Sequence, residues 1–362
     1  MRRREVGHVL VGMSGGVDSS VAAALLKAEG FEVTGVTFRL WLDCDLKSLT
    51  DPRSCCSLRD METAADVAGI LGIEHMCVDI SNSFYVSIVE PFAREYKKGR
   101  TPNPCVACNG LVKFPMLRAL AEDMGASHIA TGHYARISGN DICTSLLRGA
   151  SKAKDQSYAL YRLQQSELSR CIFPNGSRSK REIREAAEAA GLPSAQKRES
   201  QELCFISGDN YREFLAARFP QALVPGLIVD TSGKVLGEHH GVAFYTIGQR
   251  RGLGLSSPTP QYVTKIDSKK REVTIGGPHE VPGAWLRAES AVWVQGWPPA
   301  ESFEAEVMAR YNSPPVPCSI VTAEDGFEAH FRDRIWAITP GQHAVIYRGD
   351  EVLGGGIIAE AR

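Results

Sequence analysis

The sequence predicts an α/β protein in which a domain with a parallel β-sheet is followed by two small β-rich domains. Three observations favour this fold class. Strand-like apolar runs alternate with helix-like segments over the first part of the chain. A hexapeptide of glycine, serine, valine and aspartate, residues 14–19, joins the first strand to the first helix. Beyond Pro220, glycine and proline become frequent and short runs of β-branched residues appear, as in small β domains.

The parallel sheet is predicted from four apolar runs that are separated by helical patterns. Such alternation places helices on both faces of a parallel sheet and gathers ligands at the carboxyl ends of the strands. Both the hexapeptide and the Gly132-His133 pair follow a strand, so both are expected at that edge. The predicted strands cover 9–11, 32–41, 76–80 and 128–131, and the predicted helices include 21–26, 57–71, 83–98 and 111–124.

The rest of the chain divides by composition. Helices are predicted at 164–168, 180–190 and 211–219, and they extend the first domain. We therefore predict a catalytic domain over 1–219, a small central β-rich domain over 220–283 and a C-terminal β domain over 284–362. Short strands with turn signals favour either a barrel or a sandwich for the last domain.

Composition narrows the class of protein. The chain has 362 residues, a net charge of -1 and a hydrophobic fraction of 43%, which are values typical of globular proteins. We predict a cytoplasmic protein, because no apolar run is long enough for a membrane span and the N-terminus lacks a secretion signal. Ten cysteines in such a chain indicate catalytic or metal-binding thiols rather than a disulfide framework.

The hexapeptide, here called the glycine-rich turn (residues 14–19), has the chemistry of a phosphate site. Gly15 and Gly16 let the backbone bend and approach a ligand closely. The N–H groups and the positive end of the following helix attract an anion, and Asp18 can hold Mg²⁺. No Gly-Lys-Ser/Thr follows and no Gly-x-Gly-x-x-Gly is present. We interpret the turn as a site for the pyrophosphate of ATP; an ordinary strand-to-helix turn is the alternative.

Three cysteines stand in patterns that suggest chemistry. Cys105 and Cys108 form a Cys-x-x-Cys that two prolines are expected to hold in a stiff loop, and Cys204 follows a polar segment. The alternatives are half of a zinc site for the pair and a buried structural thiol for Cys204. A closed zinc site needs a second pair, and Cys55-Cys56 is badly spaced for it.

With these residues in view, the chain resembles the bacterial tRNA-specific 2-thiouridylases over nearly its full length. The resemblance implies a Rossmann-like PP-loop (adenine nucleotide α-hydrolase-like) domain and a final β-barrel that contacts tRNA. The matching segments are 12–20, 55–57, 99–109, 130–134, 154–158, 200–206, 245–250, 310–311 and 340–342.

The resemblance implies an enzyme, a sulfurtransferase that uses ATP and Mg²⁺. It transfers AMP to the C2 oxygen of the wobble uridine and then replaces that oxygen with sulfur, forming 2-thiouridine, AMP and pyrophosphate. Phe38 stands where many relatives carry methionine. The residues expected around ATP are Gly12, Met13, Ser14, Gly15, Gly16, Val17, Asp18, Ser19, Phe38 and Gly132.

By the same resemblance, Cys204 receives sulfur as a persulfide from a donor protein and Cys108 is the nucleophile. Either the persulfide attacks C2 directly, or Cys108 releases hydrosulfide that attacks. Both routes end in a Cys108–Cys204 disulfide that a cellular reductant opens. Lys113 and Arg100 are candidates for the positive charge that lowers the pKa of the thiols.

Cys105 opens another route. Some family members have aspartate at this position, whereas this chain has a third thiol there. Cys105, Cys108 and Cys204 could together hold a 4Fe–4S cluster that binds hydrosulfide. Two further alternatives are another PP-loop adenylating synthetase and a non-enzymatic protein that binds tRNA or carries an iron–sulfur cluster.

The tRNA contacts follow from the resemblance as well, and the wobble base must leave its stack to be modified. The ordinary alternatives are a capping or core histidine for His133 and simple barrel surface for Arg310 and Tyr311. Asn103, Pro104 and Cys105 are expected beside the target base, and His133, Lys154, Asp155, Gln156, Arg310, Tyr311 and Gln342 on the anticodon stem-loop.

Overall fold

The structure, a computed structural model, describes residues 7–40, 58–139, 143–197, 203–206, 210–255 and 257–362. Cys55, Cys56 and the Glu199–Glu202 part of the Cys204 segment lie outside these residues. In this part of the chain, none of the helices combines the length and the apolar character that crossing a membrane requires.

The first domain contains the predicted parallel sheet. In the described residues, its strands are β1 (His8–Gly12), β2 (Glu32–Arg39), β3 (Glu74–Asp79), β4 (His128–Thr131), β5 (Ala135–Gly139), β6 (Thr144–Arg148) and β7 (Cys171–Ile172). Five of them form the sheet in the order β3-β2-β1-β4-β7, and every pairing is parallel. The strand order reverses between β1 and β4, so the chain leaves both strands at a crevice that suits a ligand.

Helices cover both faces of this sheet. Side chains alternate along β1: Val9 and Val11 pack in one apolar cluster with Val21, whereas Leu10 packs in the other with Phe114. The period of two is what a strand buried on both faces requires. The helices are α1 (Val17–Ala28), α2 (Leu58–Leu71), α3 (Ser81–Phe84), α4 (Glu90–Lys97), α5 (Pro104–Cys108), α6 (Phe114–Asp123), α7 (Gln165–Leu168), α8 (Lys180–Ala189) and α9 (Tyr211–Arg218).

The stiff loop predicted around Cys105 and Cys108 is wrong: these residues form helix α5. The side chain of Asn103 caps this helix by accepting a hydrogen bond from the Val106 N–H at 3.3 Å, and Pro104 occupies its first turn. Proline at that position is already set for a helix, so the residue that predicted stiffness starts a helix instead. A π-helical turn, Asn109–Lys113, then connects α5 to α6.

The remaining strands form two β domains, which confirms the fold class. The central sheet has the order β10-β11-β8-β9, with β8 (Gly226–Asp230), β9 (Val235–His239), β10 (Tyr262–Asp267) and β11 (Glu272–Gly276). The C-terminal strands are β12 (Gly283–Trp293), β13 (Ser302–Met308), β14 (Val316–Ala323), β15 (Gly326–Ile335), β16 (His343–Arg348) and β17 (Glu351–Ala361). Because β12 also pairs with β17, these six strands close into a barrel, not a sandwich.

One hairpin that the sequence pattern did not reveal joins the first domain to the barrel. Strands β5 and β6 pair with each other, and β6 then adds to β17 through Leu146 and Leu147. The hydroxyl of Ser145 donates to the Glu351 carboxylate at 2.7 Å, and the Arg148 N–H donates to the Asp350 carbonyl at 2.8 Å. The barrel is therefore fixed to the catalytic domain by a continuous sheet.

Candidate functional site

The glycine-rich turn leaves β1 and opens helix α1 at the crevice. Gly16 is the N-cap of α1 with an extended backbone and provides no capping side chain. The Ser19 hydroxyl accepts from the Ser14 N–H at 3.1 Å, and the Ser20 hydroxyl donates to the Gly16 carbonyl at 2.9 Å. The turn is thus ordered by its own serines, while the positive end of a three-turn helix faces the crevice.

Two glycines are required by close packing. Gly15 has a φ of +68°, and a Cβ there would overlap the Asp60 carbonyl of α2. A Cβ on Gly132 would lie 2.5 Å from the carbonyl carbon of Asp18 and 2.6 Å from the Ser19 nitrogen. Gly132 therefore lets the end of β4 press against the first turn of α1.

Asp18 is surrounded by partners from distant parts of the chain. The Lys180 ammonium donates to its two carboxylate oxygens at 2.7 and 2.9 Å, and the Tyr134 hydroxyl donates to Oδ1 at 2.6 Å. The Asn175 amide donates to the backbone carbonyls of Asp18 and Gly132, at 2.9 and 3.0 Å. The acid suggested for Mg²⁺ is thus paired with a cation from a distant helix that no motif in the sequence indicated.

A second lysine holds the turn from the other side. The Lys197 ammonium donates to the Gly15 carbonyl at 3.1 Å and forms an ion pair with Asp60, which is buried. Neither Lys197 nor Asp60 was predicted as a site residue, because the two lie far apart in the sequence. Lys197 immediately precedes the segment that leads to Cys204.

Several residues expected around ATP have side chains in the core. Met13 and Val17 are almost fully buried in the cluster of Val9, and Phe38 is buried with Leu10 on the other side of the sheet. The Met13 N–H donates to Val36 and its carbonyl accepts from Thr37, both at 2.8 Å. Gly12 packs against Leu117 and Thr131. These residues shape the crevice through backbone and packing.

Cys108 and Cys204 lie in one apolar cluster. Cys108 is buried with 4% of its surface exposed, and Cys204 is partly buried against the same cluster. Phe205, next to Cys204, packs edge-on against Phe84 and Phe92 with ring centroids 5.7 and 5.2 Å apart. The two thiols, 96 residues apart in the chain, thus pack against one cluster, and Cys105, on the same helix as Cys108, is exposed.

Arg100, one of two candidate cations for the thiols, joins helix α4 to the barrel. Its guanidinium pairs with Glu95 at 2.7 Å and with Glu289 of the barrel at 2.8 Å. These two carboxylates offset its charge, and the effect of Arg100 on the thiols stays a prediction. Lys113 lies on the π turn after Cys108, where its charge contributes to the lowered pKa of His133.

The cluster hypothesis receives no support from the described residues. Among them, no three cysteine, histidine, aspartate or glutamate side chains come together as a metal site. Cys105 is exposed whereas Cys108 is buried in apolar surroundings. This arrangement does not fit the three thiolates that a 4Fe–4S cluster needs, so we derive no step through iron.

The barrel contacts the segment before Cys108 directly. The Gln342 amide donates to the Thr101 carbonyl at 2.8 Å, and the Thr101 N–H donates to the Pro340 carbonyl at 2.8 Å. Gly341 has a φ of +92°, and a Cβ there would lie 2.8 Å from the Thr101 nitrogen. Gln342, expected on tRNA, therefore directs its amide at the catalytic domain.

The residues at 154–156 build the loop that faces Tyr134. The buried Asp155 carboxylate accepts from the Arg148 guanidinium at 3.1 Å and from the Gly149 N–H at 2.9 Å. The Gln156 amide oxygen accepts from the Tyr134 N–H at 3.0 Å. Lys154, half-buried, ends a short 3₁₀ turn.

His133 is held as a neutral ring. It hydrogen-bonds the Thr131 hydroxyl at 2.8 Å and lies between the rings of Phe114 and Phe173. Burial, with a smaller contribution from Lys113, lowers its pKa to about 3. On the barrel, Arg310 and Tyr311 are exposed.

Comparisons with known proteins match the chain along its length. Family profiles match in three consecutive parts: the tRNA methyl transferase HUP domain at 7–208, the tRNA methyl transferase PRC-barrel domain at 212–277 and the aminomethyltransferase beta-barrel domain at 284–358. The chain is 45% identical over 358 residues to a tRNA-specific 2-thiouridylase of Chloroflexus aurantiacus, covering 98% of this chain and 99% of that protein. It is 44% identical over 361 residues to one of Geobacter metallireducens, covering 98% and 97%.

Proposed function

The chain belongs to the family of tRNA-specific 2-thiouridylases, and on that basis we propose that it catalyses ATP-dependent 2-thiolation of the wobble uridine of tRNA. The observation that carries the proposal is the packing of Cys108 and Cys204 into one cluster of the domain whose sheet bears the glycine-rich turn. This arrangement combines a nucleotide site with two thiols. An adenylating synthetase without sulfur chemistry does not require the two thiols.

The first step is activation of the base. The C2 oxygen of uridine attacks the α-phosphorus of ATP, pyrophosphate leaves, and AMP becomes bonded to that oxygen. The glycine-rich turn and the start of α1 would hold the phosphates, and Asp18 would hold Mg²⁺, which neutralises phosphate charge. The Lys180 ammonium, which is held on both oxygens of Asp18, would add a second positive charge near the phosphates.

The second step is sulfur transfer. The terminal sulfur of a Cys204 persulfide attacks C2, and AMP leaves with the original oxygen. The Cys108 thiolate then attacks the inner sulfur of Cys204, a Cys108–Cys204 disulfide forms, and the thiolated base leaves with the electron pair of the broken S–S bond. A donor protein would load Cys204, and a cellular reductant would reopen the disulfide.

The order of the thiols in this step has one alternative. Cys108 could attack the persulfide first and release hydrosulfide, which then attacks C2. Cys108 is buried and Cys204 is partly exposed, which supports loading at Cys204 in either case, because a donor protein reaches the more accessible of these two thiols first.

The tRNA contacts remain part of the proposal. We place the target base beside Asn103, Pro104 and Cys105, at the start of helix α5, where the Cys105 side chain is exposed. The exposed Arg310 and Tyr311, together with Lys154, would contact the anticodon stem-loop. Asp155, Gln156 and His133 would support these contacts by holding the loops in place, as their internal hydrogen bonds indicate.

A reconstituted thiolation assay tests the proposal. Anaerobically purified protein is incubated with tRNA, ATP, Mg²⁺ and a persulfide donor labelled with ³⁴S, and the digested tRNA is analysed for 2-thiouridine by mass spectrometry. The wild type should form labelled 2-thiouridine and release one pyrophosphate for each 2-thiouridine formed.

The variants separate the two steps. Cys108→Ser and Cys204→Ser should abolish thiolation, while both still release pyrophosphate when tRNA is present. Cys77→Ser, which removes an exposed thiol on β3, is the matched control and should keep full activity. Thiolation by either of the first two variants at the wild-type rate would exclude the persulfide mechanism.

A further inference from the structure

The barrel contributes four consecutive residues, 340–343, that contact the catalytic domain immediately before Cys108. We call residues 340–343 the clamp segment. Pro340 and Gln342 hydrogen-bond the two backbone groups of Thr101, and Gly341 packs on the same residue. His343 begins strand β16, so the clamp segment is anchored in the barrel wall.

His343 is placed to act on the cap of helix α5. It is 3% exposed, and its ring meets the Tyr161 ring edge-on, with the Tyr161 hydroxyl 2.8 Å from Nδ1. The backbone of Asn103, the residue whose side chain caps α5, lies near the ring.

The surroundings of the ring define its state. The Tyr161 hydroxyl and Nδ1 of His343 share one hydrogen bond. Burial, with a smaller contribution from the Arg162 charge, lowers the pKa of the ring and keeps it neutral. The ring is therefore an uncharged part of the packing between β16 and the residues that lead into α5.

We propose that His343 and Gln342 of the barrel are positioning residues that hold helix α5 so that Cys108 is set for sulfur transfer. The inference rests on the proposed function for its chemical consequence, but the positioning itself is a structural claim. It also gives Gln342 a role in the enzyme that does not require contact with tRNA. The tRNA-binding barrel and the nucleophile would then be parts of one unit.

Two variants at position 343 separate hydrogen bonding from packing. His343→Gln keeps a donor near the Nε2 position, whereas His343→Leu fills similar space without one. The first readout is the rate of Cys108 alkylation by iodoacetamide, measured by mass spectrometry of the peptide. The second is the split between kcat and the KM for tRNA in the thiolation assay, with pyrophosphate release measured in parallel.

We expect His343→Leu to raise the rate of Cys108 alkylation at least about fivefold, because helix α5 is held less firmly. The same variant should lower kcat about tenfold, while the KM for tRNA stays within about twofold of the wild-type value. His343→Gln should remain within about twofold of the wild type in every readout. Gln342→Leu, at a half-buried position, should change alkylation and kcat in the same direction. Gln261→Leu, at a half-buried glutamine outside the clamp segment whose amide donates to the Thr259 hydroxyl, is the matched control.

Three results would overturn the proposal. These are wild-type alkylation of Cys108 in folded His343→Leu and Gln342→Leu, equal impairment in His343→Gln and His343→Leu, or a change confined to the KM for tRNA. Melting temperatures identify a variant that fails to fold, and Gln342→Leu then decides. If the wild-type protein formed no 2-thiouridine, the proposed function would fail, whereas the alkylation comparison would still decide whether the clamp segment positions Cys108.

Discussion

The Lys180 ammonium lies 2.7 Å from Oδ1 of Asp18 and 2.9 Å from Oδ2, so helix α8 supplies a cation to the acid of the glycine-rich turn. The pair is partly shielded, with side-chain exposures of 14% for Lys180 and 33% for Asp18. A carboxylate this close to a phosphate site repels the phosphates unless a cation neutralises it. In this structure Lys180 has that task, and a bound Mg²⁺ would share it.

Replacing Lys180 should therefore weaken ATP binding more than it slows the chemistry. We expect Lys180→Met to raise the KM for ATP about tenfold with a smaller change in kcat, because the Asp18 charge is left without its strongest partner. Added Mg²⁺ should recover part of the loss. Steady-state pyrophosphate release at varied ATP and Mg²⁺ measures both effects.

The control for this variant is Arg181→Met on the same helix. Arg181 is 83% exposed at its side chain and pairs only weakly with Glu185, at 3.6 Å. The Arg181→Met substitution should leave the KM for ATP unchanged. An unchanged KM in Lys180→Met as well would remove Lys180 from the nucleotide site.

The comparison of sequence and structure at this turn shows what a motif can and cannot indicate. The glycine-rich turn and its place after β1 were predictable, because glycine conformation and strand-to-helix order are local properties. Lys180 and Lys197 were not, since their roles depend on contacts across the fold. A basic residue in a cluster carries no signal that distinguishes a solvated side chain from one that binds Asp18.

Cys105 should be dispensable for sulfur chemistry. Its exposed position on α5 and the lack of a three-ligand metal site among the described residues predict that Cys105→Ser keeps at least about half of the thiolation rate. Anaerobically purified wild type should contain no iron in proportion to protein. Loss of both activity and stoichiometric iron in Cys105→Ser would establish the cluster route.

Gly132 should tolerate no side chain. In Gly132→Ala the new Cβ would lie 2.5 Å from the Asp18 carbonyl carbon, so backbone rather than a flexible side chain must shift. We expect a loss of about 1–3 kcal/mol in the free energy of unfolding and weaker ATP binding, because the turn and β4 must separate. Urea unfolding and ATP titration measure these changes.

Gly69→Ala is the matched substitution for this test. Gly69 lies within α2, and a Cβ there meets no atom within 4 Å. Alanine in a helix interior should be neutral or stabilising by up to about 1 kcal/mol. If Gly132→Ala were as harmless as Gly69→Ala, the close approach at the crevice would not be needed.

The barrel illustrates a second limit of sequence reasoning. Alternating β-branched residues predicted the strands of the C-terminal domain, and the resemblance implied a barrel, which the pairing of β12 with β17 confirms. The addition of β6 to this sheet depends on a pairing between Leu146 and Val352, 206 residues apart, that no local pattern encodes. For the same reason Gln342 was expected on tRNA, although its amide bonds Thr101.

The buried His343 gives the protein a measurable dependence on pH. Burial lowers its pKa from 6.5 to about 3, so the folded protein keeps this ring neutral where the unfolded chain takes up a proton. The unfolded state therefore binds more protons between these two pKa values, and stability that is present above pH 6.5 is lost as the pH falls toward 3.

Between pH 7 and pH 5, the wild type should lose about 2 kcal/mol more free energy of unfolding than His343→Gln, since glutamine does not titrate. Urea unfolding at both pH values measures the difference, with the exposed His240→Gln as a control that should follow the wild type. Equal losses in the wild type and His343→Gln would show that His343 is not held neutral by burial.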